Sequence, residues 1–290
     1  MPDTPAGGPD MTSPRGIVFG ATGASYVALA RRAARTVRRV MPDTPIDLFT
    51  DAPLADAVFD RVHILDQTTT RPKMAALRRS RFDRTIWLDC DVIVLADLAE
   101  VFDLLGRVDI AGAHEHYGSS PVAMMQTGPD DIPPAFRQIN SGVLGVRSGP
   151  ATHDFLDRWA SEFARRGLRY DQPLLRELLW DSDLRLGVLP HEYNLMHMPY
   201  LMAGNDRMMA PRVLHLPHLH VYDKFIADPS SPLTAGEILS PDELMELERR
   251  MASDRTLGAR RAARDVLADL LRHAPALERP VRRLWHRWRR

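Results

Sequence analysis

Short apolar runs recur along the chain at GIVFGAT, IDLF, RVHIL, TIWLD, VDIAGA, GVLGV, LGVLP and RVLHL, near residues 17–22, 46–49, 61–65, 85–89, 108–113, 142–146, 186–190 and 212–216. Runs this short, bounded by turn-forming residues, read as buried strands. Helical spacing lies between them. In SYVALARRAARTVRRV, Val27, Ala30, Ala33, Ala34, Val37 and Val40 share one face, and Arg31, Arg35, Arg38 and Arg39 the other. KMAALRRSRF, FLDRWASEFARR, QPLLRELLW and PDELMELERR carry the same period. Strands alternating with helices predict an α/β fold around a mostly parallel sheet, with the later runs as further strands of that sheet or edge strands added to it. The first 15 residues, rich in Pro, Gly, Asp, Ser and Thr, read as a disordered leader. The main domain is expected over residues 16–225, followed by a helical, arginine-rich appendage over 226–290.

Within this pattern TIWLDCDVIVL is anomalous, because Asp89 and Asp91 interrupt a run that is otherwise apolar. An unpaired buried carboxylate is costly enough that such acids belong at a strand end, beside a cation or on a metal. In open α/β sheets ligands gather at the carboxyl ends of strands, where TIWL delivers Asp89. Two carboxylates two residues apart can share one hard divalent cation, Mn²⁺ or Mg²⁺, if the chain turns between them. The local alternative is an acid that caps the following turn.

Composition narrows the remaining possibilities. A chain of 290 residues, 44% hydrophobic and 26% charged, supports one substantial core. With 38 basic and 38 acidic residues it offers no whole-chain attraction for nucleic acid. A single cysteine, Cys90, supports no disulfide framework, and the start lacks a charged-then-apolar signal pattern, so a cytoplasmic location is expected. GATGASY fails both the dinucleotide-binding and the phosphate-loop glycine spacings.

WLDCDVIV, with INSGVLGV, YDQPLLREL and RVLHLPH downstream of it, resembles the GT-A glycosyltransferases, and within them the family 8-like retaining enzymes, over about residues 16–220. The resemblance implies a GT-A fold and transfer of a sugar from a nucleotide diphosphate donor, UDP-sugars favoured, to a glycan, lipid-linked or other acceptor with retention of configuration. It implies Asp89, Asp91 and His215 as ligands of Mn²⁺ or Mg²⁺, with His218 and His220 as rivals for the third place. It further implies Lys73 facing the nucleotide sugar, Asn140 and Ser141 in the N-S-G segment, and Asp171 and Gln172 in the D-Q segment, Gln172 on the reacting face of the donor. Ala21, Thr22 and Tyr26, after the first strand, become candidate contacts for the nucleotide, with Asp51 a weaker one. By its residue type alone, Asp171 also fits the cap of the helix QPLLREL, and Lys73 a surface lysine at a helix start.

After the histidine the chain departs from the family, reading HLPHLHVYDKF where a Gly and a Lys-Pro-Trp are common. Lys224 or His218 would then replace the family lysine at the phosphates. A haloacid-dehalogenase-like phosphohydrolase also uses D-x-D, but it requires Thr or Val where Ile93 stands and later Lys and paired-acid motifs not found in the chain. A sugar-nucleotide-binding protein without catalysis is the other alternative. In residues 226–290 thirteen arginines oppose ten acids, and RPVRRLWHRWRR ends the chain with Trp285 and Trp288 among six arginines. A basic amphipathic segment of this kind is expected to lie on an anionic membrane surface, here the inner face of the plasma membrane, the alternatives being a solvated tail or one that attracts RNA.

Overall fold

The structure is a computed structural model that describes residues 14–66, 71–128, 131–205 and 207–257. The leader through residue 13 and the tail from residue 258, with its Trp pair, lie outside the described residues. The strands in chain order are β1 (Arg15–Ala21), β2 (Ile46–Thr50), β3 (Arg61–Ile64), β4 (Arg84–Leu88), β5 (Val92–Val94), β6 (Ile110–His114), β7 (Ile139–Arg147), β8 (Leu186–Leu189) and β9 (Val213–His215). The helices are α1 (Ala24–Val40), α2 (Lys73–Arg78), α3 (Ala99–Leu104), α4 (Pro150–Arg165), α5 (Asp171–Trp180), α6 (Met198–Met202), α7 (Asp223–Ile226) and α8 (Pro241–Ser253).

Seven strands form one sheet in the order β3-β2-β1-β4-β7-β6-β8. All run the same way except β7, which is antiparallel to both β4 and β6. Alternate side chains of a strand leave on opposite faces, so each central strand feeds two cores. Ile17, Phe19 and Ala21 of β1 and Ile86 and Leu88 of β4 join α1 and α3 on one face. Val18 and Trp87 join α2, α4 and α5 on the other. Both faces are covered, which is why these strands read as continuous apolar runs rather than alternating ones.

The seam of α1 consists of Leu29, Ala30, Ala33, Ala34 and Val37, all buried. Full burial of Leu29 and Val37 stabilises the fold by about 1.5–3 kcal/mol each. On the polar face, Arg31 and Arg35 converge on Asp56, and Arg38 reaches Asp60. Arg32, four residues before Thr36, is instead buried, donating to the carbonyls of Phe225, Ser231 and Pro232 and pairing with Glu237 at 2.8 Å.

Three local expectations are corrected. The run RVLHL does not extend the main sheet: β9 pairs antiparallel with β5 in a separate two-stranded ribbon. The VIV segment, read only as the tail of the acidic motif, is the other strand of that ribbon. The helix KMAALRRSRF ends at Arg78, because Phe82 turns inward into the core beneath α2 and α4. The described part of the predicted appendage, residues 226–257, packs on the main body through Leu233, Leu239 and Leu247. Arg212 and Asp254 form a buried ion pair at 2.7 Å that ties the end of α8 to the start of β9. No helix among the described residues is long and apolar enough to cross a membrane.

Candidate active site

The parallel strands β1, β2, β4 and β6 all point their carboxyl ends to one edge of the sheet. Strand β7 runs the other way, so its beginning, Ile139–Asn140–Ser141–Gly142, arrives at that same edge. Beside it β4 ends at Leu88, Asp89 donates its N–H to the Gly142 carbonyl at 2.8 Å, and the chain turns at Cys90 and Asp91 before leaving as β5. Cys90 is buried beneath the turn with Sγ 3.3 Å from the Gly20 carbonyl. The acids of the anomalous segment therefore lie in the gap between two sheets, where the main-chain ladder of β4 has ended.

The ribbon supplies their partner. Register pairs His215 with Val92, and Leu216 donates to the Asp91 carbonyl at 2.8 Å, so residues more than a hundred apart in sequence become neighbours. Asp89, Asp91 and His215 each present a ligand atom within 4.8 Å of the others. His215 Nε2 stands 3.3 Å from Asp91 Oδ1 and 4.0 Å from Asp89 Oδ2. Burial disfavours charge on both Asp91 and His215. Their attraction outweighs it, holding the Asp91 carboxyl below the usual carboxylate range and the His215 ring above its ordinary value. His218 and His220 are not members of this trio, although the charge of His220 reaches Asp91. His218 adopts a left-handed backbone with φ 72°, and His220 stacks on Tyr26 with ring centroids 4.5 Å apart.

The two acids are not equivalent. Asp89 Oδ1 accepts from Trp87 Nε1 at 2.7 Å and faces Lys73 Nζ at 3.2 Å, which leaves Oδ2 on the His215 side. Lys73 is buried, so its reading as a surface lysine is corrected. Its ammonium also donates to Ser141 Oγ at 2.7 Å and to Asp171 Oδ2 at 3.5 Å. Asp171 is the first residue of α5, and its side chain turns to Lys73 and Ser141 rather than capping the helix. Burial would raise the Asp171 carboxyl, and the charges of Lys73 and Arg71 more than reverse this, keeping it ionised.

Three carboxylates thus surround one ammonium and one imidazole. Asp89 and Asp91 converge with the His215 ring on one point of this cluster. Two carboxylate oxygens and an imidazole nitrogen form a donor set suited to a first-row divalent ion, and the nitrogen favours Mn²⁺ over Mg²⁺. Asp89, Asp91 and His215 fit such an ion.

Gln172 is held at both ends: Oε1 accepts from the Ser141 N–H and Nε2 donates to Glu115 Oε2, each at 3.2 Å. Glu115 escaped the sequence reading, yet it stands one residue past the end of β6, at the same edge and for the same topological reason as Asp89. That position was the available signal. It also accepts from Asn140 Nδ2 at 2.7 Å. Asn194 is fully buried with Oδ1 2.9 Å from His215 Nδ1. Next to Glu115, Tyr117 is half exposed, its hydroxyl 3.0 Å from His197 Nδ1, and the His116 ring lies tilted against His191 with centroids 4.4 Å apart. Burial and the neighbouring His191 hold His116 down to about 4, so this ring is neutral at pH 7.

Ala21 ends β1 and Thr22 follows it, shortly before Tyr26, whose hydroxyl lies 3.2 Å from His220 Nε2. Gly23 follows with φ 79°, a left-handed conformation that favours glycine, and its N–H reaches the Asp51 carboxylate at 3.2 Å. Lys224 is exposed on α7, its ammonium 4.5 Å from the Phe225 ring centroid.

A family profile described as nucleotide-diphospho-sugar transferase matches residues 27–220, well over half of the chain. Among solved structures, a complex of the galactosyltransferase LgtC with donor and acceptor sugar analogues aligns with 80% of this chain and 100% of its own, at 18% identity and a TM-score of 0.52. The apo glycosyltransferase GlyE of Streptococcus pneumoniae TIGR4 aligns with 83% of this chain and 61% of its own, at 17% identity and a TM-score of 0.54. Among curated proteins, none matches the chain in sequence. Family profile and fold agree with the strand-edge site: this chain belongs to the nucleotide-diphospho-sugar transferases, glycosyltransferases of the GT-A fold.

Proposed function

We propose that the protein transfers a sugar from a nucleotide diphosphate donor to a carbohydrate acceptor, with Mn²⁺ held by Asp89, Asp91 and His215. The observation that carries this reading is the convergence of Asp89, Asp91 and His215, whose ligand atoms lie within 4.8 Å of one another, at the carboxyl edge of the sheet. When bound, the ion supplies neutralisation of the diphosphate leaving group. Lys73, fixed between Asp89 and Asp171, adds a positive charge that cannot swing away, because both carboxylates and Ser141 hold it. Tyr26, with His220 against it, offers a flat surface for the nucleotide base near Ala21 and Thr22. The choice of UDP and of retention rests on the family 8 resemblance. Gln172 supports retention as the polar group held at the site by Glu115 and the Ser141 N–H.

The acceptor side of the proposal is the ring wall beside Glu115, where Tyr117 and His197 present apolar faces with polar edges of the kind on which sugar rings pack. Replacement of Tyr117 by Ala is expected to raise the acceptor KM several-fold and leave donor hydrolysis unchanged. The arginine- and tryptophan-rich tail, outside the described residues, would hold the enzyme on an anionic membrane where lipid-linked acceptors are found.

A panel of nucleotide sugars with Mn²⁺, read by thermal stabilisation and donor hydrolysis, tests the reading. One donor should stabilise the protein, by about 2.7 kcal/mol at a hundred times its Kd. The effect should vanish without Mn²⁺ and in Asp91→Asn. Indifference to every donor, or stabilisation that survives Asp91→Asn, would reject the site.

A further inference from the structure

The Glu115 carboxylate stands on a backbone gripped from both sides. One residue past β6, its N–H donates to the Gln138 carbonyl at 2.9 Å, and its carbonyl accepts from Arg137 Nη2 at 2.6 Å. The side chain is buried and accepts from donors in three segments of the chain. Oε1 takes the Tyr117 N–H at 3.1 Å, and Oε2 takes Asn140 Nδ2 at 2.7 Å and Gln172 Nε2 at 3.2 Å. The other end of the Gln172 amide meets the Ser141 N–H at 3.2 Å. A backbone N–H is a donor only, so the atom there is Oε1 and the atom at Glu115 is Nε2.

We infer that Glu115 is a positioning residue that fixes the Gln172 side-chain amide across the carboxyl edge of the sheet, between the end of β6 and the start of β7. What the fixed amide serves rests on the transferase reading; the fixing itself does not. Held by the Ser141 N–H alone, the amide would still swing about its side-chain bonds, and the second grip at Glu115 removes that freedom before a substrate arrives. Donation to a carboxylate also polarises the amide and draws electron density onto Oε1. A carbonyl oxygen carries two lone pairs, and Ser141 uses one. The other is set for the positive charge that grows on the sugar as its bond to the diphosphate breaks. Because Tyr117 hangs on the same carboxylate, the acceptor wall is tied to the same fixed point.

Glu115→Gln is the test variant, because it keeps the shape but cannot serve all three donors: whichever way its amide lies, its NH₂ meets another N–H group. The first readout needs neither donor nor metal. It uses the full chain with ¹⁵N-labelled glutamine side chains, Gln172 assigned by comparison with Gln172→Ala. One Gln172 amide proton should lie downfield in the wild type, as for a proton bound to a carboxylate, and return to the position of a solvated amide in Glu115→Gln. The second readout is turnover of the donor selected by the nucleotide-sugar panel. Glu115→Gln should lower kcat by up to about 100-fold and move the donor KM less than about threefold. In the Gln172→Ala background the same substitution should cost nothing further, since a residue that acts through Gln172 then has nothing to position. A solvated-amide signal for Gln172 in the wild type, an unmoved signal in folded Glu115→Gln, or an equal loss of kcat with and without Gln172 would overturn the inference. If Glu115→Gln does not fold, the wild-type spectrum still decides. A wild type that turns over no donor, with the downfield proton present, would remove the transferase reading and leave the positioning standing.

Discussion

Gly142 shows how closely the site is built. A Cβ at this position would come within 2.2 Å of His215 Cε1 and 2.5 Å of Nδ1, so the absence of a side chain is what lets the ring lie beside β7. Gly142 also donates its N–H to Asn140 Oδ1 at 2.9 Å, an oxygen that accepts from Asn194 at 2.8 Å, and Asn194 in turn meets His215 Nδ1. Gly142→Ala is therefore expected to displace the ring and weaken Mn²⁺-dependent stabilisation by at least about tenfold. Overpacking of this kind lowers fold stability by about 1–3 kcal/mol. Calorimetry and thermal unfolding on the same sample separate the two effects, and a Gly142→Ala protein that binds Mn²⁺ as the wild type does would contradict the geometry. At this level the sequence was legible in part. Asp89, Asp91, Asn140, Ser141, Asp171 and Gln172 stood in recognisable local patterns, and all converge on one edge. Glu115 did not, because an acid after a short strand is common and only the pairing of β6 with β7 shows what it meets.

The segment most in need of tertiary information is β9 with the helix that locks it. Arg212 enters β9 from a fully buried position, paired with Asp254 at the end of α8 and donating to Thr256 Oγ1. Arg250 of α8 is also fully buried, donating to the Leu201 and Met209 carbonyls and lying 3.7 Å from Glu192. Because the Arg212 N–H reaches the Glu192 carbonyl at 2.6 Å, α8 braces the turn that carries Asn194. Asp254→Asn would leave Arg212 buried without its counter-charge, an expected loss of about 3–5 kcal/mol. The effect is pH-dependent. Burial would raise the Asp254 carboxyl, and the hydrogen bonds from Arg212 and the Ala210 N–H more than offset this, so its folded pKa lies below the unfolded value. The pair therefore stabilises the fold in full above about pH 4, the unfolded range, and loses that contribution as pH falls through the lower folded value. Denaturant midpoints against pH should show the wild type and Asp254→Asn converging in acid; a constant gap would contradict the assignment. Residues 226–257 read as an appendage from composition, since their arginines and acids look like a solvated helix. Nothing in the local period says that Arg212, Arg250 and Asp254 are inside.

For the molecule as a whole, charge is divided rather than uniform. The chain has no net charge, whereas its last twelve residues hold six arginines and no acid. Deleting residues 278–290 is expected to abolish sedimentation with anionic vesicles and to leave turnover on soluble substrates within about twofold, since surface electrostatic attachment of this kind acts independently of the site. Equal sedimentation of the full and shortened chains would reject membrane attachment. What could be read from the linear chain was local: strand and helix periods, and acids placed where a strand must end, because burial makes a carboxylate elsewhere in that run too costly. What required the folded molecule was every choice between distant partners. The reversed direction of β7 brings Asn140 to the edge, the β5–β9 ribbon brings His215 beside Asp89 and Asp91, and burial turns Lys73 from a surface lysine into a clamp between two acids. Contacts across a hundred residues leave no period in the sequence, since each depends on the packing of elements whose order in space differs from their order in the chain.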